Sequence, residues 1–504
     1  MASGAAAPVS ASDLLALVQQ GKASEAARRA SRALKKAPRD PALLFVAGVA
    51  EHANGQTRRG ITHLKRAAKL EPGAFGIALN LGTMLRSVGD YPAAIAELER
   101  ANAIQPGNAD VLGQLGMALV QADEPGRAIE NLEAAAAASP GNAEIAFWLG
   151  TAWSKAGDHA AAERAYRYAI RLNPAHVPAH RQLGNLLTKV GRFGDAVPVN
   201  EAALRLSPGD GAVIYDLAHA LASSDAPTRA LACLDPVIAT GEAPPDFAEL
   251  GAFAAFRAGD VEDCIRRCDA ILREYPGRTM AIAYKGMALN EIGQREAASE
   301  LMALERLVDS EIVATPAGYG SLEAFNAALV SEIESHPSLR YSALNRSLTR
   351  GRSTEELFAQ PEGAVASFRT VIEAAVARWK LAHPIDPAHP WLAQRPRRTR
   401  IGCWANIMDR GGFHDVHFHP PGWLSGVYYP QVPPGVGDGV SGHEGWIEFG
   451  RAYYMLQSTD EPPVRLLQPQ PGLIVLFPSW LGHRTIPFAE QDYRISVAFD
   501  IMPA

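Results

Sequence analysis

Six prolines stand 34 residues apart, at Pro38, Pro72, Pro106, Pro140, Pro174 and Pro208, and Pro276 keeps the phase after one missed beat at 242. A chain with that register cannot be built around one conventional core. It must stack similar two-element units, each burying its face on the next. A second series at the same period is Gly48, Gly82, Gly116, Gly150, Gly184 and Gly286, where a small residue lets one helix approach its partner. A third is Gly55, Gly89, Gly157, Gly191, Gly259 and Gly293, in the turn between helices, where glycine relieves left-handed strain. Each proline follows the second helix of a pair and stops it. Between these marks apolar residues recur at helical spacing: Leu79, Leu81, Met84 and Leu85 serve one first helix, and Ala94, Ile95, Leu98 and Ala101 its partner.

The period, with segments such as Asn80-Leu-Gly82 and Phe147-Trp-Leu-Gly150, resembles the tetratricopeptide repeat. About nine units are expected over residues 7–308, the weakest at 211–244, where Ala218 and Asp225 replace the glycines. The expected form is an all-α right-handed superhelix whose first helices line a concave, peptide-holding groove. Candidate groove residues are Asn80, Arg86, Gln114, Trp153, Lys155, Asn185 and Lys189. Such an array binds; chemistry has to be sought further along the chain.

At 504 residues the chain exceeds a single core, and 47% hydrophobic with 20% charged residues is a globular composition. A net charge of −6 gives no drive towards nucleic acid or an anionic membrane. There is no apolar run of about 18 residues that would span a bilayer. Met1–Ser12 has neither the basic start nor the apolar stretch of a secretory leader. Four cysteines, Cys233, Cys264, Cys268 and Cys403, are too few for a disulfide framework. Cys264 and Cys268 lack two further ligands nearby and read as ordinary thiols. The expectation is a cytoplasmic protein with no nucleic-acid or membrane partner; the oligomeric state is open.

The 34-residue beat ends after Leu307. Residues 309–398 read as a linker at Ala314–Gly320 followed by helices near Leu322–Ser335 and Gly363–Ala382, then prolines 384, 387 and 390. The basic run Arg395-Pro-Arg-Arg-Thr-Arg400 reads as a solvated face. From 399 to 504 the pattern turns to short strands, at Ile401–Met408, Asp415–His419, Leu424–Tyr429, Trp446–Phe449, Leu473–Phe477, His483–Pro487 and Arg494–Asp500. Many short strands suggest a β-sandwich or jelly roll.

Five of the 14 histidines fall between His414 and His483. His417 and His419 are alternate residues, so both imidazoles project from one face of a strand. With His483 they could form a facial triad for Fe(II), Zn or Cu. Arg494 opens a later strand. A guanidinium in a barrel interior needs a carboxylate partner, which a dicarboxylate cosubstrate would supply.

The blocks His417-Phe-His-Pro-Pro-Gly-Trp-Leu-Ser-Gly-Val-Tyr-Tyr429, Gly445-Trp-Ile-Glu-Phe-Gly450, Leu476-Phe-Pro-Ser-Trp480 with His483-Arg-Thr-Ile-Pro487, and Arg494-Ile-Ser-Val-Ala-Phe-Asp500 resemble the Fe(II)/2-oxoglutarate-dependent oxygenases, close to their prolyl 4-hydroxylase-like branch. The resemblance covers roughly residues 312–504, since Ser321-Leu-Glu-Ala-Phe-Asn326 is similar to that group's N-terminal helix. It implies a double-stranded β-helix, and so an α+β multidomain chain. It also implies Fe(II), 2-oxoglutarate and O2, with ascorbate helpful in vitro. His417 and His483 would hold iron, and Arg494, assisted by Ser496, would hold the cosubstrate's distal carboxylate. The sequence departs from the family's usual His-x-Asp motif. Either His419 is the remaining ligand, or Asp415 or Glu448 supplies a carboxylate. Trp404, Trp423, Tyr428, Tyr429 and Trp446 read as a wall of the site or as core, with Tyr428 the expected polar contact. The resemblance implies hydrogen abstraction from a peptide or protein held in the groove, compatible with hydroxylation, halogenation or desaturation. The competing readings are an interaction scaffold with a degenerate barrel, a three-histidine dioxygenase independent of 2-oxoglutarate, and a zinc hydrolase.

Overall fold

Each 34-residue unit becomes an antiparallel helix pair because its sequence supplies both the turn and the stop. Helix Phe75–Ser87 ends where Gly89 takes φ 83°. The next helix, Tyr91–Ile104, starts at Asp90, whose carboxylate accepts the N–H of Ala93, and ends before Pro106. At the place where the series would put a glycine, Asp123 takes φ 63°, and Lys155 Nζ donates to its carboxylate at 2.7 Å.

The computed structural model describes residues 10–341, 348–434, 436, 442–451, 462–488 and 493–504. Residues 1–9, on which the absence of a leader and the first positions of the repeat region were read, lie outside the described residues. The chain divides into two compact units, 1–208 and 209–504. In the first, six helical hairpins run from Ala11–Gln19 to Phe193–Leu206. In the second, three more run from Gly211–Ser223 to Arg295–Met302, and the β-rich region follows.

Within a unit the small residues act as expected. A Cβ at Gly82 would lie 2.6 Å from Leu98 Cγ, and one at Gly116 would lie 2.4 Å from Leu132 Cγ. Leu98 and Leu132 are fully buried, one period apart. The prolines also link neighbouring units. Arg66 Nη2 donates to the Pro38 carbonyl at 2.7 Å, the Tyr168 hydroxyl to that of Pro140 at 2.8 Å, and Arg100 to that of Pro72. Each donor lies on the second helix of the following unit, 28 residues on. The residue that stops one helix thus hands its carbonyl to the next.

The β-rich region has strands β1 (Asp309–Ile312), β2 (Arg340–Tyr341), β3 (Leu348–Ser353), β4 (Thr399–His414), β5 (Leu424–Gln431), β6 (Ile447–Phe449), β7 (Arg465–Leu467), β8 (Leu473–Pro478), β9 (His483–Thr485) and β10 (Arg494–Pro503). They form a seven-stranded sheet, β1-β8-β5-β10-β4-β3-β2, and a three-stranded sheet, β7-β6-β9. Helices Leu322–Glu334 and Gly363–Ala382 cover one face of the larger sheet, with Phe325 and Phe368 against Tyr428 at ring separations of 6.3 and 5.0 Å. The fold is α+β and multidomain: a helical repeat region, then a double-stranded β-helix with flanking helices.

Two expectations are corrected. Asp415–His419 is not a strand. His417 alone pairs with His483, their backbones exchanging hydrogen bonds of 3.0 and 3.1 Å. The basic run is only partly solvated: Arg397, Arg398 and Arg400 are exposed, but Arg395 donates to the carbonyls of Lys380 and His383.

The last repeat is anchored to the β-region. Arg465 Nη1 donates to the carbonyls of Leu304, Glu305 and Val308, at 2.9, 3.1 and 2.6 Å. His383 and His389 donate through Nε2 to the carbonyls of Arg306 and Leu301, at 2.7 and 3.0 Å. These donors bond carbonyls at the point where the last repeat ends and helical pairing runs out.

Replacing Gly116 by valine should lower stability by about 1–3 kcal/mol, because the added carbons collide with Leu132 in a closed helix pair. Gly126→Ala, whose Cβ would meet nothing within 4 Å, should leave stability unchanged or slightly raised. Urea unfolding followed by circular dichroism separates the two.

Candidate metal centre and anion site

Two elements bring the histidines together: the segment before β5 carries His417 and His419, and β9 begins with His483. The backbone bridge between His417 and His483 fixes their separation. Ring centroids stand 4.2 Å apart for His417–His483, 5.2 Å for His417–His419 and 5.1 Å for His419–His483. One ring nitrogen from each lies within 4.8 Å of the others.

The hydrogen bonds assign the tautomers. Nδ1 of His417 faces the Asp415 carbonyl at 2.7 Å, and Nδ1 of His483 the Leu481 carbonyl at 3.0 Å. Nδ1 of His419 faces Asp500, at 2.8 Å to Oδ1 and 3.1 Å to Oδ2. Oxygens of these kinds accept, so each Nδ1 carries a proton and Nε2 is the nitrogen left to bind a metal. Nε2 of His419 is buried with no partner among the described residues. Burial, then the neighbouring imidazole of His419, pushes the pKa of His417 down to about 3. Burial, then His417 and His419, pushes His483 well below the ordinary histidine range. Both rings are therefore neutral at pH 7, as ligation requires.

The histidines line a cavity of about 500 Å³. Arg494 lies in its wall, fully buried. Its Nη1 donates to the Gly445 carbonyl at 2.5 Å and its Nη2 to Thr485 Oγ1 at 3.1 Å, and its guanidinium sits 5.6 Å from the Tyr429 ring. Nε has no partner, and no carboxylate pairs with Arg494 among the described residues. Ser496, two residues along β10, is buried in the same wall, opposite Asn406 in register. Asn406 Oδ1 is another buried atom without a partner.

A family model described as "Putative 2OG-Fe(II) oxygenase" matches residues 402–500, and one described as "Tetratricopeptide repeat" matches four stretches between 14 and 211. The chain thus carries a region that matches the tetratricopeptide-repeat model and, after it, one that matches the 2OG-Fe(II) oxygenase model. A comparison with curated proteins gave no match. Among solved structures the chain is similar to MamA from Desulfovibrio magneticus RS-1, at 20% identity over 34% of this chain and 97% of that one, TM-score 0.32. It is also similar to a tetratricopeptide repeat protein from Parabacteroides merdae ATCC 43184, at 15% identity over 48% and 96% of the two chains, TM-score 0.39. YrrB, described as a TPR protein with an unusual peptide-binding site, matches at 18% identity over 38% and 97%, TM-score 0.32.

The residues of the oxygenase domain fit the group that its family implies. Three lone pairs converge, one from a buried nitrogen with nothing else to bind. Across the cavity a buried guanidinium lacks a carboxylate, which one end of 2-oxoglutarate can supply.

Other sequence expectations are corrected. Asp415 offers only its carbonyl, and its side chain is exposed. Glu448 is in register with Arg484 on β9, while Ile447 and Phe449 on either side face inward. It pairs with Arg484, at 3.1 and 3.0 Å, and with Arg451; these arginines outweigh burial and hold its pKa below the ordinary range. The carboxylate at the centre is Asp500, which the sequence reading missed. Tyr428 does not face the cavity: its hydroxyl donates to Asn326 Oδ1 beneath the covering helices. Tyr429 faces it instead, as does Trp404, stacked 5.7 Å from His419. Trp423 packs with Trp391 and Trp379 in the core, and Trp446 lies edge-on to His443.

Most groove candidates are committed to internal contacts. Arg86 donates to Gln114 and Gln121, both at 3.2 Å, and Asn80 to the Gly76 carbonyl at 2.8 Å. Trp153 packs on the repeat core. The four cysteines are thiols, and no helix among the described residues is long and apolar enough to cross a membrane.

The two depressed histidines set the acid stability of the metal-free protein. In the unfolded chain they take protons near pH 6.5. Their stabilising contribution is complete above that pH and is lost as pH falls towards 3, because the unfolded chain then binds more protons. Thermal unfolding in chelator should show the melting temperature falling between pH 6.5 and 4.5, with a shallower slope for His417→Leu.

Proposed function

We propose that the C-terminal domain is an Fe(II)/2-oxoglutarate-dependent dioxygenase that hydroxylates a polypeptide recruited by the repeats. The observation that carries this reading is the pairing, in one cavity, of three converging histidine ring nitrogens with a buried guanidinium that has no anionic partner among the described residues. His417, His419 and His483 would hold Fe(II). With O2, bound Fe(II) would supply the oxidation that converts 2-oxoglutarate to succinate and CO2 and places one oxygen atom in a substrate C–H bond.

The chain's own residues position and exclude. Arg494 would take the distal carboxylate of the cosubstrate through its Nε, with Ser496 beside it. The Gly445 carbonyl, Thr485 Oγ1 and Met408 Sδ hold the guanidinium in place, so its orientation is set before an anion arrives. Ile447, Phe477 and Tyr429 give the cavity apolar walls that keep water from the reacting centre. His414, 5.2 Å from His417 by ring centroids and held neutral by burial, lines the same wall.

The polypeptide substrate is supported by position within the second compact unit. Pro420 lies at the cavity wall, and its carbonyl accepts from Thr279 Oγ1 at 3.4 Å, at the start of helix Thr279–Glu291 in the last repeat. A segment held along the last repeats would thus have a short path to the cavity.

The ligand cluster holds no carboxylate among the described residues, which favours a second reading, a three-histidine dioxygenase that uses no 2-oxoglutarate. Under that reading Arg494 would have no task. In anaerobic titration of Fe(II)-loaded protein, 2-oxoglutarate should bind. Arg494→Ala should weaken it by about 2–5 kcal/mol, at least roughly 30-fold, and abolish ascorbate-supported succinate formation. Equal affinity in the variant would overturn the assignment of Arg494, and no binding by wild type would favour the second reading.

Tyr428→Phe should cost about 1 kcal/mol of stability through the lost bond to Asn326, with 2-oxoglutarate affinity unchanged. A large affinity loss would return Tyr428 to the site.

A further inference from the structure

The cluster of three neutral ligands is one negative charge short of the His-x-Asp arrangement. We infer that Asp500 supplies that charge through His419, acting as the positioning residue that sets how tightly the centre holds its divalent metal. This rests on the proposed metal centre and deepens it.

The carboxylate is placed for that task from two sides. Both its oxygens lie within hydrogen-bond distance of His419 Nδ1, at 2.8 and 3.1 Å. The Ser425 hydroxyl, completely buried, donates to Asp500 Oδ1 at 2.6 Å and fixes its orientation. Ser425 also lies 2.8 Å from Ser479 Oγ. Asp500 itself is buried, and no lysine or arginine pairs with it among the described residues. Its charge is therefore directed at the imidazole rather than neutralised by a cation. A carboxylate on Nδ1–H draws that proton and raises the electron density at Nε2, which faces the other two histidines.

The neighbouring ligands have weaker support. His417 and His483 donate to neutral backbone carbonyls. Of the three, only His419 donates to an anion, and it occupies the position where the related motif has its aspartate. The negative charge is thus retained but moved one hydrogen bond outward, from strand β10 rather than from the ligand segment. Stacked Trp404, 5.7 Å away, shields the pair from solvent.

The test measures metal affinity. Co(II), a spectroscopic stand-in for Fe(II), would be titrated into the full chain and followed by its visible spectrum. Asp500→Asn keeps an oxygen able to accept from Nδ1 and removes only the charge. It should weaken Co(II) binding about 10- to 100-fold, while Asp500→Glu restores much of the loss. In a His419→Ala background, Asp500→Asn should have no further effect. If Asp500→Asn does not fold, Asp500→Ser, smaller and neutral, serves the same comparison. Folded neutral variants that bind Co(II) as tightly as wild type would overturn the inference, as would equal weakening in the His419→Ala background. Those outcomes leave the metal centre standing. Wild-type protein that takes up neither Co(II) nor Fe(II) would sink both.

Discussion

Alternation along one strand organises the site. In β10, Arg494, Ser496, Ala498 and Asp500 point to the same face, since successive side chains of a strand project to opposite sides. The strand therefore presents an anion anchor at one end of the cavity and a carboxylate for His419 at the other. Its intervening residues Ile495, Val497 and Phe499 are fully buried on the opposite face. A one-residue slip of β10 would exchange the two sets, placing Phe499 among the histidines and burying Asp500 in an apolar layer. Pairing with β4 over ten residues and with β5 on the other side holds the register.

That same regularity decides what could be read from the sequence. The repeats were legible because 34-residue spacing puts a glycine opposite Leu98 or Leu132 in unit after unit, a constraint that leaves few residue choices. The long apolar helices and the strands with clear alternation were legible for similar reasons. Strand β3, Leu-Thr-Arg-Gly-Arg-Ser, was not, because it lies near a sheet edge and carries no apolar alternation. Tyr428 was misplaced for a different reason. Parity along β5 decides the matter: Ser425 meets Asp500 and Val427 is in register with Ala498, so Tyr429 follows them to the cavity, whereas Tyr428, in register with Val497, turns away. Asp500 was missed although its parity with Arg494 was visible. Its partner lies 81 residues away, and only the folded pairing brings them together.

The arrangement also explains why neither Glu448 nor Asp415 serves the metal. Glu448 is buried and charged, which is costly unless paired, and two arginines meet that need on the outer face of β6. An acid so engaged would have to abandon both arginines to reach the cavity. Asp415 is exposed, and its carbonyl already fixes His417. Asp500 differs from both: among the described residues its partners are a hydroxyl and an imidazole, so its charge remains available to the histidine.

Charge balance then links the two ends of the cavity. The walls hold a guanidinium without an anion at one end and a carboxylate spent on one imidazole at the other. A divalent cation at the histidines would make the interior strongly positive, and in a largely buried space such an excess is expensive. A dianion with carboxylates at both ends removes it, one end at the cation and one at Arg494, whereas a monoanion would leave one site uncompensated. On the proposed reading, a preference for a dicarboxylate would follow from two positive centres held apart on one strand, independent of any contact with the carbon chain that joins the two ends of the ligand.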